Sequence, residues 1–522
     1  MICGARARAA SAFARQAGAA RHRWHLALAS GALLVVAGRP WGLGWLALVA
    51  FVPLLAALRL EPSALRAAVL VAVPAFGAAF VVYEALGPFA PALLPPVAAA
   101  AALPFAAVGA LAARLRRALG EDAVVASFPV LWLAAEWLPG RSWLLGRFAT
   151  PLFAVGYSQA GLPAMQLARL GGVAAVSLAV LACNALLTLA LLRRGRWAVP
   201  ALFALTLLVA GVWRSAPAPA GGSGAVRGAA PTRAQLLAQP RAHLRIVQRA
   251  LPDAAYAAAA AIPAARTALL QGYVDQTRAG QTLTGQTLTA QPVTAAHPSG
   301  PGFTLWPEGA LPGPLPATGP TGLEPMLGGL GPVLAGAPAR TPEGIANAAY
   351  AWEGGTLRRV YLKRRLAPIT EAGLVAGTNA SPLELGGVRV APLICFEAAF
   401  PELARQAARD GAQVLAVLTN DAFGRFLGTP LQHLRVARFR AVETGLPLAF
   451  ASNAGPSAVF DGAGRVLARS RIGRAETLVA APRLHPRTTP YVRWGAWPGT
   501  LALVGSLLLA LVAGAEGGAP RP

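Results

Sequence analysis

Residues 388–402 read VRVAPLICFEAAFPE. Val388, Val390, Leu393 and Ile394 give the alternating, β-branched pattern of a buried strand. Pro401 suits the first turn of a helix, where its missing N–H is not needed, so a helix is expected after Phe400. The stretch is therefore strand, corner, helix, and Cys395 stands at the corner. Helix N–H groups at such a corner favour a thiolate or an oxyanion. Glu397 follows two residues later. Outward from this stretch, the next signal is Lys363 in YLKRRLAP, the sole lysine among 46 Lys+Arg. Elsewhere positive charge is supplied by arginine. An ammonium is a compact point charge that a guanidinium does not replace in shape.

The stretch belongs to a run of alternating strands and helices between residues 242 and 491. Strands are expected at 243–248 (HLRIVQ), 303–306, 333–335, 346–353, 357–362, 388–394, 414–418, 448–452, 457–460 and 476–480. Helices are expected at 253–272, 400–410 and 430–444. This describes an α/β domain of about 250 residues, large enough for a full core. The tandem repeat QTLTGQTLTAQ at 281–291 reads as a duplicated loop insertion.

The rest of the chain has a different character. Of 522 residues, 55% are hydrophobic and 13% charged, and mean hydropathy is +0.52. A soluble chain carries about twice that charge, so this one belongs in a membrane. Net charge is 46 − 21 = +25. The arginines are scattered and no nucleic-acid motif accompanies them, so the excess reads as topology signal and lipid-surface contact rather than nucleic-acid binding. The three cysteines, Cys3, Cys183 and Cys395, lie far apart. They offer no metal spacing and no disulfide framework, and no cofactor is implied.

Apolar stretches near the ~20 residues needed to cross a bilayer fall at 24–38, 41–58, 65–86, 89–113, 123–139, 172–192, 197–213 and 494–514. Residues 1–23 form a basic cytoplasmic tail with five arginines and no acid. Residues 24–213 form a membrane domain of about seven helices, 214–241 a linker rich in Ala, Pro and Gly, and 494–514 a last membrane helix. Arg59, Arg66, Arg114, Arg116, Arg117, Arg193, Arg194 and Arg196 occupy alternate loops. By the positive-inside rule those loops are cytoplasmic, and the domain at 242–491 emerges on the far side. Arg39 is a minor exception. Loop 139–171 is a larger one, carrying Arg141, Arg147 and Arg169. It is semi-apolar and reads as dipping into the outer interface, anchored by Trp143 and Tyr157. Glu84 and Glu136 fall near span ends, and no span has a central acid or base. That argues against a transporter, whose spans carry ionisable groups at mid-membrane.

Three reactive groups sit at three expected strand ends: Glu308 after FTLWP, Lys363 after RRVYL and Cys395 after VAPLI. Base, cation and nucleophile together make an acyl-transfer site. The carboxylate accepts the thiol proton. The ammonium, with backbone N–H groups near Phe396, stabilises first a thiolate and then a tetrahedral oxyanion. Separately, each residue has a plain alternative: a helix-capping Glu, a surface Lys, a core Cys.

The motifs LWPEGALP, YLKRRLAPITE and ICFEAAFPE resemble those of the nitrilase (carbon-nitrogen hydrolase) superfamily, with its Glu–Lys–Cys triad in an α-β-β-α sandwich. TNDAFG at 419–424, QHLRVARFRAVETGLP at 432–447 and SNAGPSAVFD at 452–461 match too. Seven spans before and one after such a domain, with GYSQ at 156–159 and QLARLGGVAAVS after it, resemble the apolipoprotein N-acyltransferase family within it. The resemblance implies Glu308 as general base, Lys363 as stabiliser of thiolate and oxyanion, and Cys395 as nucleophile. It adds Glu371 and Glu397 as supporting acids, with Glu397 holding Lys363 or relaying a proton. It implies a phospholipid acyl donor, a cysteine thioester and transfer to the α-amine of a diacylglyceryl-cysteine apolipoprotein. The setting would be the bacterial cytoplasmic (inner) membrane, with catalysis on the periplasmic side. A membrane-tethered amidase acting on a small amide shares the triad but has no need of eight spans. Departures from the pattern are VQRA for VQGN at 247–250, Phe396 where a Tyr is usual, and Phe423-Gly424-Arg425 for Trp-Phe-Gly.

Overall fold

The structure, a computed structural model, describes residues 21–87, 90–141, 144, 150–192, 196–215, 240–282, 300–422, 428–484 and 488–515. Cys3 and the tail up to residue 20, Trp143, Arg147, Arg193, Arg194, most of the linker, the repeat from residue 283 on and residues 423–425 lie outside these.

The N-terminal part is helical. Helix α1 spans residues 21–38, α2 Val52–Leu58, α3 Ala64–Val82, α4 Leu94–Leu119, α5 Glu121–Trp137, α6 Val173–Leu191 and α7 Ala198–Arg214. Among the described residues, five helices have the length and apolarity to cross a bilayer: Ala64–Val82, Pro91–Leu119, Glu121–Gly140, Val173–Leu191 and the C-terminal Trp497–Ala515. The stretch 41–58 is not one helix. It is a tight turn at Gly44–Leu48, then a break, then the seven-residue α2. Gly42 has φ +79°, and a Cβ on Gly44 would come 1.9 Å from the Ser158 carbonyl oxygen. The segment is bent so that it can press against loop 139–171. α3, α4 and α5 each carry an internal proline (Pro74, Pro104, Pro129), which membrane helices tolerate better than soluble ones. Phe51, Phe105, Phe128, Trp132 and Phe153 form one aromatic cluster with ring centroids 4.4–5.5 Å apart. Each such pair contributes about 0.5–1.5 kcal/mol beyond its area.

The C-terminal part is a four-layer sandwich. Its strands are β1 His243–Gln248, β2 Gly302–Trp306, β3 Leu315–Pro316, β4 Val333–Thr341, β5 Gly344–Glu353, β6 Thr356–Leu362, β7 Leu383–Leu385, β8 Val388–Ile394, β9 Val414–Thr419, β10 Leu448–Ser452, β11 Ala458–Phe460, β12 Val466–Arg469 and β13 Glu476–Ala480. One sheet runs β13-β1-β2-β4-β5-β6 with β3 on β4, and the other β12-β11-β10-β9-β8-β7. Their inner faces meet in a core that includes Leu244, Ile246, Phe303, Leu305, Val390, Ile394 and Leu418. Helices α8 (Asp253–Ala261) and α9 (Pro263–Thr282) cover the first sheet; α10 (Pro401–Arg409) and α11 (Thr429–Thr444) cover the second. The helix expected at 253–272 is thus two. Pro263 pushes Ile262 to an extended backbone (φ −115°, ψ 116°) and ends the first. The last helix, α12 (Trp497–Ala515), returns to the bundle beside α5 and α4.

Loop 139–171 connects the two parts. Its turns Val155–Gln159 and Pro163–Leu167 bury residues 156–159 and 165–167, and Tyr157, Met165 and Leu167 pack on Val436, Phe439 and Val442 of α11. Tyr157 is therefore not an interface anchor. Its ring stands edge-on to Phe439, and its hydroxyl accepts a hydrogen bond from Arg440 Nη2 at 3.1 Å. Arg440 is wholly buried and pairs with buried Glu443 at 2.9 Å. Glu443 in turn accepts from the backbone N–H of Val173, at the start of α6. Arg435 donates to the Gly38 and Arg39 carbonyls, satisfying the open C-terminal end of α1.

Candidate active site

Glu308, Lys363 and Cys395 follow β2, β6 and β8, and the two packed sheets bring these strand ends together. The approach needs small residues. A Cβ on Gly336 in β4 would come 2.5 Å from Glu308 Cα, so only glycine lets the Glu308 turn lie on that strand. Cys395 itself has φ +48°. A non-glycine residue held there costs about 1–3 kcal/mol and persists only where its surroundings enforce it. A tight turn at Cys395–Ala399 separates β8 from α10, so the expected corner is longer by five residues than a direct strand-to-helix step.

Lys363 is the most enclosed of the three, 1% exposed. Its Nζ lies 2.8 Å from both Glu371 oxygens and 3.7 Å from Glu308 Oε1. Asn347 Nδ2 donates to Glu308 Oε1 at 2.7 Å and to Glu371 Oε1 at 2.8 Å, and Ala367 N–H donates to Glu371 Oε2 at 2.7 Å. Burial alone would drive the ammonium toward its neutral form, but Glu308, Cys395 and Glu371 outweigh it and raise the lysine pKa above its ordinary value. Burial raises the Glu308 carboxyl, against the pull of Lys363. Burial and Glu308 together push the Cys395 thiol well up, again opposed by Lys363. The directions are those of a thiol, an ammonium and a carboxyl of raised proton affinity. Such a set can pass the thiol proton to Glu308 when that carboxyl is ionised.

Glu397 does not hold Lys363. The turn after Cys395 folds its side chain back, and it accepts from the N–H groups of Ile394, Arg364 and Arg365 and from the Tyr361 hydroxyl. Wholly buried, it joins the lysine-bearing segment to the cysteine corner. Phe396 packs edge-on against Phe400. Two residues absent from the sequence-based set stand beside the triad. His433 Nε2 lies 3.0 Å from the Cys395 carbonyl oxygen, and its Nδ1 lies 3.0 Å from Asp421 Oδ1. The motifs around both were visible, but nothing in them marked a histidine on α11 as facing the Cys395 carbonyl.

The triad opens into a cavity of about 1370 Å³. Glu308, Lys363, Cys395, Phe396 and the loop at 367–371 line one end. Val82, Leu86, Val97, Leu103, Trp132 and Leu138 of the membrane part line the other. Drug-sized ligands occupy about 300–1,000 Å³, so this space suits a larger, largely apolar molecule. Among the described residues no cluster of His, Cys, Asp and Glu has the makings of a metal site.

Residues 30–186 match the family described as Apolipoprotein N-acyltransferase N-terminal domain, and residues 333–485 match Carbon-nitrogen hydrolase. An apolipoprotein N-acyltransferase of Azotobacter vinelandii is 31% identical, the alignment covering 95% of this chain and 96% of the relative. One from Pseudomonas syringae pv. tomato is 30% identical over 76% and 75%. Among solved structures, Saccharomyces cerevisiae Nit3 of the nitrilase superfamily overlays with TM-score 0.36 and 21% identity, covering 47% of this chain and 90% of that one. An amidase from Nesterenkonia sp. gives 0.34 and 23%, covering 47% and 91%.

Proposed function

Since the chain belongs to the apolipoprotein N-acyltransferase family, we propose that Glu308, Lys363 and Cys395 carry a two-step acyl transfer from phospholipid to lipoprotein. The single observation that carries this reading is the cavity. It runs from the sulfur into a cleft of apolar membrane helices, and a substrate anchored by acyl chains needs such a path. The enzyme works in the bacterial inner membrane; the Arg-rich alternate loops support a catalytic domain on the periplasmic side.

In the first step Glu308 takes the Cys395 proton and the thiolate attacks an ester carbonyl of the phospholipid. The oxyanion is stabilised by the Lys363 ammonium and by backbone N–H groups at the Phe396 turn. Collapse breaks the ester C–O bond, and protonated Glu308 returns its proton to the departing lysophospholipid oxygen. The enzyme is left as a thioester. In the second step the neutral α-amine of the diacylglyceryl-cysteine attacks the thioester, Glu308 accepts a proton from the nitrogen, and Cys395 leaves as thiolate with the amide formed. Glu371 keeps Lys363 charged and in place through both steps. One site thus serves two bulky substrates in turn.

The test is mass spectrometry of the protein in phospholipid nanodiscs. An acyl mass on Cys395, discharged by a diacylglyceryl-cysteine peptide, supports the reading. A sulfur that stays free with phospholipid but turns over small amides would establish a membrane-tethered amidase instead.

A further inference from the structure

His433 is half-buried beside the nucleophile and has no part in the proton transfers above. Its Nε2 faces the backbone carbonyl of Cys395 at 3.0 Å. A carbonyl oxygen only accepts, so Nε2 carries a proton and donates it. Nδ1 faces the Asp421 carboxylate at 3.0 Å, a second acceptor, so the ring donates from both nitrogens as an imidazolium, the form Asp421 favours, and its orientation is fixed. Asp421 is held in turn by the Thr419 hydroxyl at 3.0 Å. The Phe450 ring stands edge-on to the imidazole, centroids 5.1 Å apart, and prevents it from tilting. Both ends of this clamp are unusual. Cys395 has φ +48° and Asp421 φ +51°, two of only three non-glycine residues with positive φ among those described. A left-handed cysteine relaxes unless something holds it, and a charge-assisted hydrogen bond to its own carbonyl is such a hold.

We infer that His433, oriented by Asp421, is a positioning residue that grips the Cys395 carbonyl and so aims the sulfur at Glu308, Lys363 and the incoming ester. It acts through the backbone of the nucleophile and touches no reacting atom. The inference rests on the acyl-transfer reading only for one of its two assays.

Two substitutions separate the ring's two contacts. The amide nitrogen of His433→Gln takes the place of Nε2 and still reaches the Cys395 carbonyl. That of His433→Asn takes the place of Nδ1 and reaches only Asp421. The full chain in nanodiscs is assayed for iodoacetamide alkylation of the Cys395 peptide across pH, and for the kcat and KM of thioester formation. His433→Gln is expected to stay within about fivefold of wild type in both, while His433→Asn loses about 10–100-fold in kcat and in alkylation rate with KM unchanged, the scale of a misplaced reacting group. Equal loss in the two variants, or a greater loss for Gln than for Asn, would overturn the inference, since a residue that merely braces Asp421 and its loop predicts that order. Alkylation that separates the variants as expected, in a protein that forms no thioester with phospholipid, would leave the clamp standing and remove the acyl-transfer reading.

Discussion

Lys363 Nζ lies 2.8 Å from Glu371 but 3.7 Å from Glu308. The ammonium is thus tethered by one carboxylate and merely faced by the other. Glu308 keeps the looser contact, which suits the proton transfer proposed for it. Replacing the two acids should therefore have different consequences. Glu308→Gln removes the base, and thioester formation should fall by about 10²–10⁴-fold, the usual contribution of a general base. Glu371→Gln leaves the base but loosens the lysine, and about 10–100-fold is expected. Single-turnover acylation followed by mass spectrometry measures both, and equal losses would contradict this division of roles.

The same site dictates a pH dependence. Burial raises the Glu308 pKa above the ordinary carboxylate value. The base works only when ionised, so acylation should fall as pH drops through that raised value, and the acid limb should lie above pH ~4.5, the unperturbed position. At neutral pH the sulfur is a thiol, because burial and Glu308 raise its pKa. Alkylation of Cys395 without substrate should therefore be slow near pH 7 and quicken as pH rises. A thiol alkylated rapidly at pH 6 would mean a preformed thiolate pair.

Lys363→Arg should be nearly as damaging as loss of the nucleophile's partner altogether, about 10²-fold or more in acylation. The ammonium sits 1% exposed among three carboxamide and carboxylate groups, and a planar guanidinium has neither the room nor the shape. Activity near wild type in Lys363→Arg would remove the significance of the chain's sole lysine.

Several strands were legible from the sequence to the residue, among them 243–248, 388–394, 448–452 and 476–480, because each carries apolar or β-branched residues in a strand-length pattern. β3, β7 and β12 were not, being two to four residues long and too short to show a period. The three strand-end groups were legible because each closes such a run. Which acid holds the lysine was not. Glu397 is two residues from Cys395 in sequence, yet the turn at Cys395–Ala399 points it back to the Ile394 N–H. Glu371 reaches Lys363 because the loop between them curls, with Ala367 N–H bound to the Glu371 carboxylate. His433 faces the ends of two strands far off in sequence, and Tyr157 faces α11 of the other domain, relations no local pattern encodes.

A glycine under the base offers a test that leaves every catalytic group intact. The Cβ of Gly336→Ala would fall 2.5 Å from Glu308 Cα and 2.7 Å from the Pro307 carbonyl oxygen, contacts that force backbone to move. About 10–100-fold lower kcat is expected, with phospholipid KM little changed, since a shift of about 1 Å at a reacting group has that scale. Gly329→Ala, which has 3.9 Å of clearance, is the control and should behave as wild type. A fully active Gly336→Ala would show that the Glu308 turn tolerates displacement.

Arg440 and Glu443 offer the last test, of how the two parts of the chain are joined. The pair is 0% exposed with a 2.9 Å contact, and it reaches beyond itself. Arg440 donates to the Tyr157 hydroxyl and to the carbonyl of Ala399 at the end of the cysteine turn; Glu443 accepts from Val173 N–H at the start of α6. Arg440→Met leaves a buried carboxylate unpaired and should cost about 3–5 kcal/mol. Glu443→Met strands the guanidinium and should cost a similar amount. The double variant removes both charges, so its loss should be well short of the sum. It should still exceed zero, because the Val173 N–H and the Ala399 carbonyl lose partners at about 1–3 kcal/mol each. Thermal unfolding of the four proteins in one detergent gives the coupling, and additive losses would mean that the two charges do not sense each other across this contact.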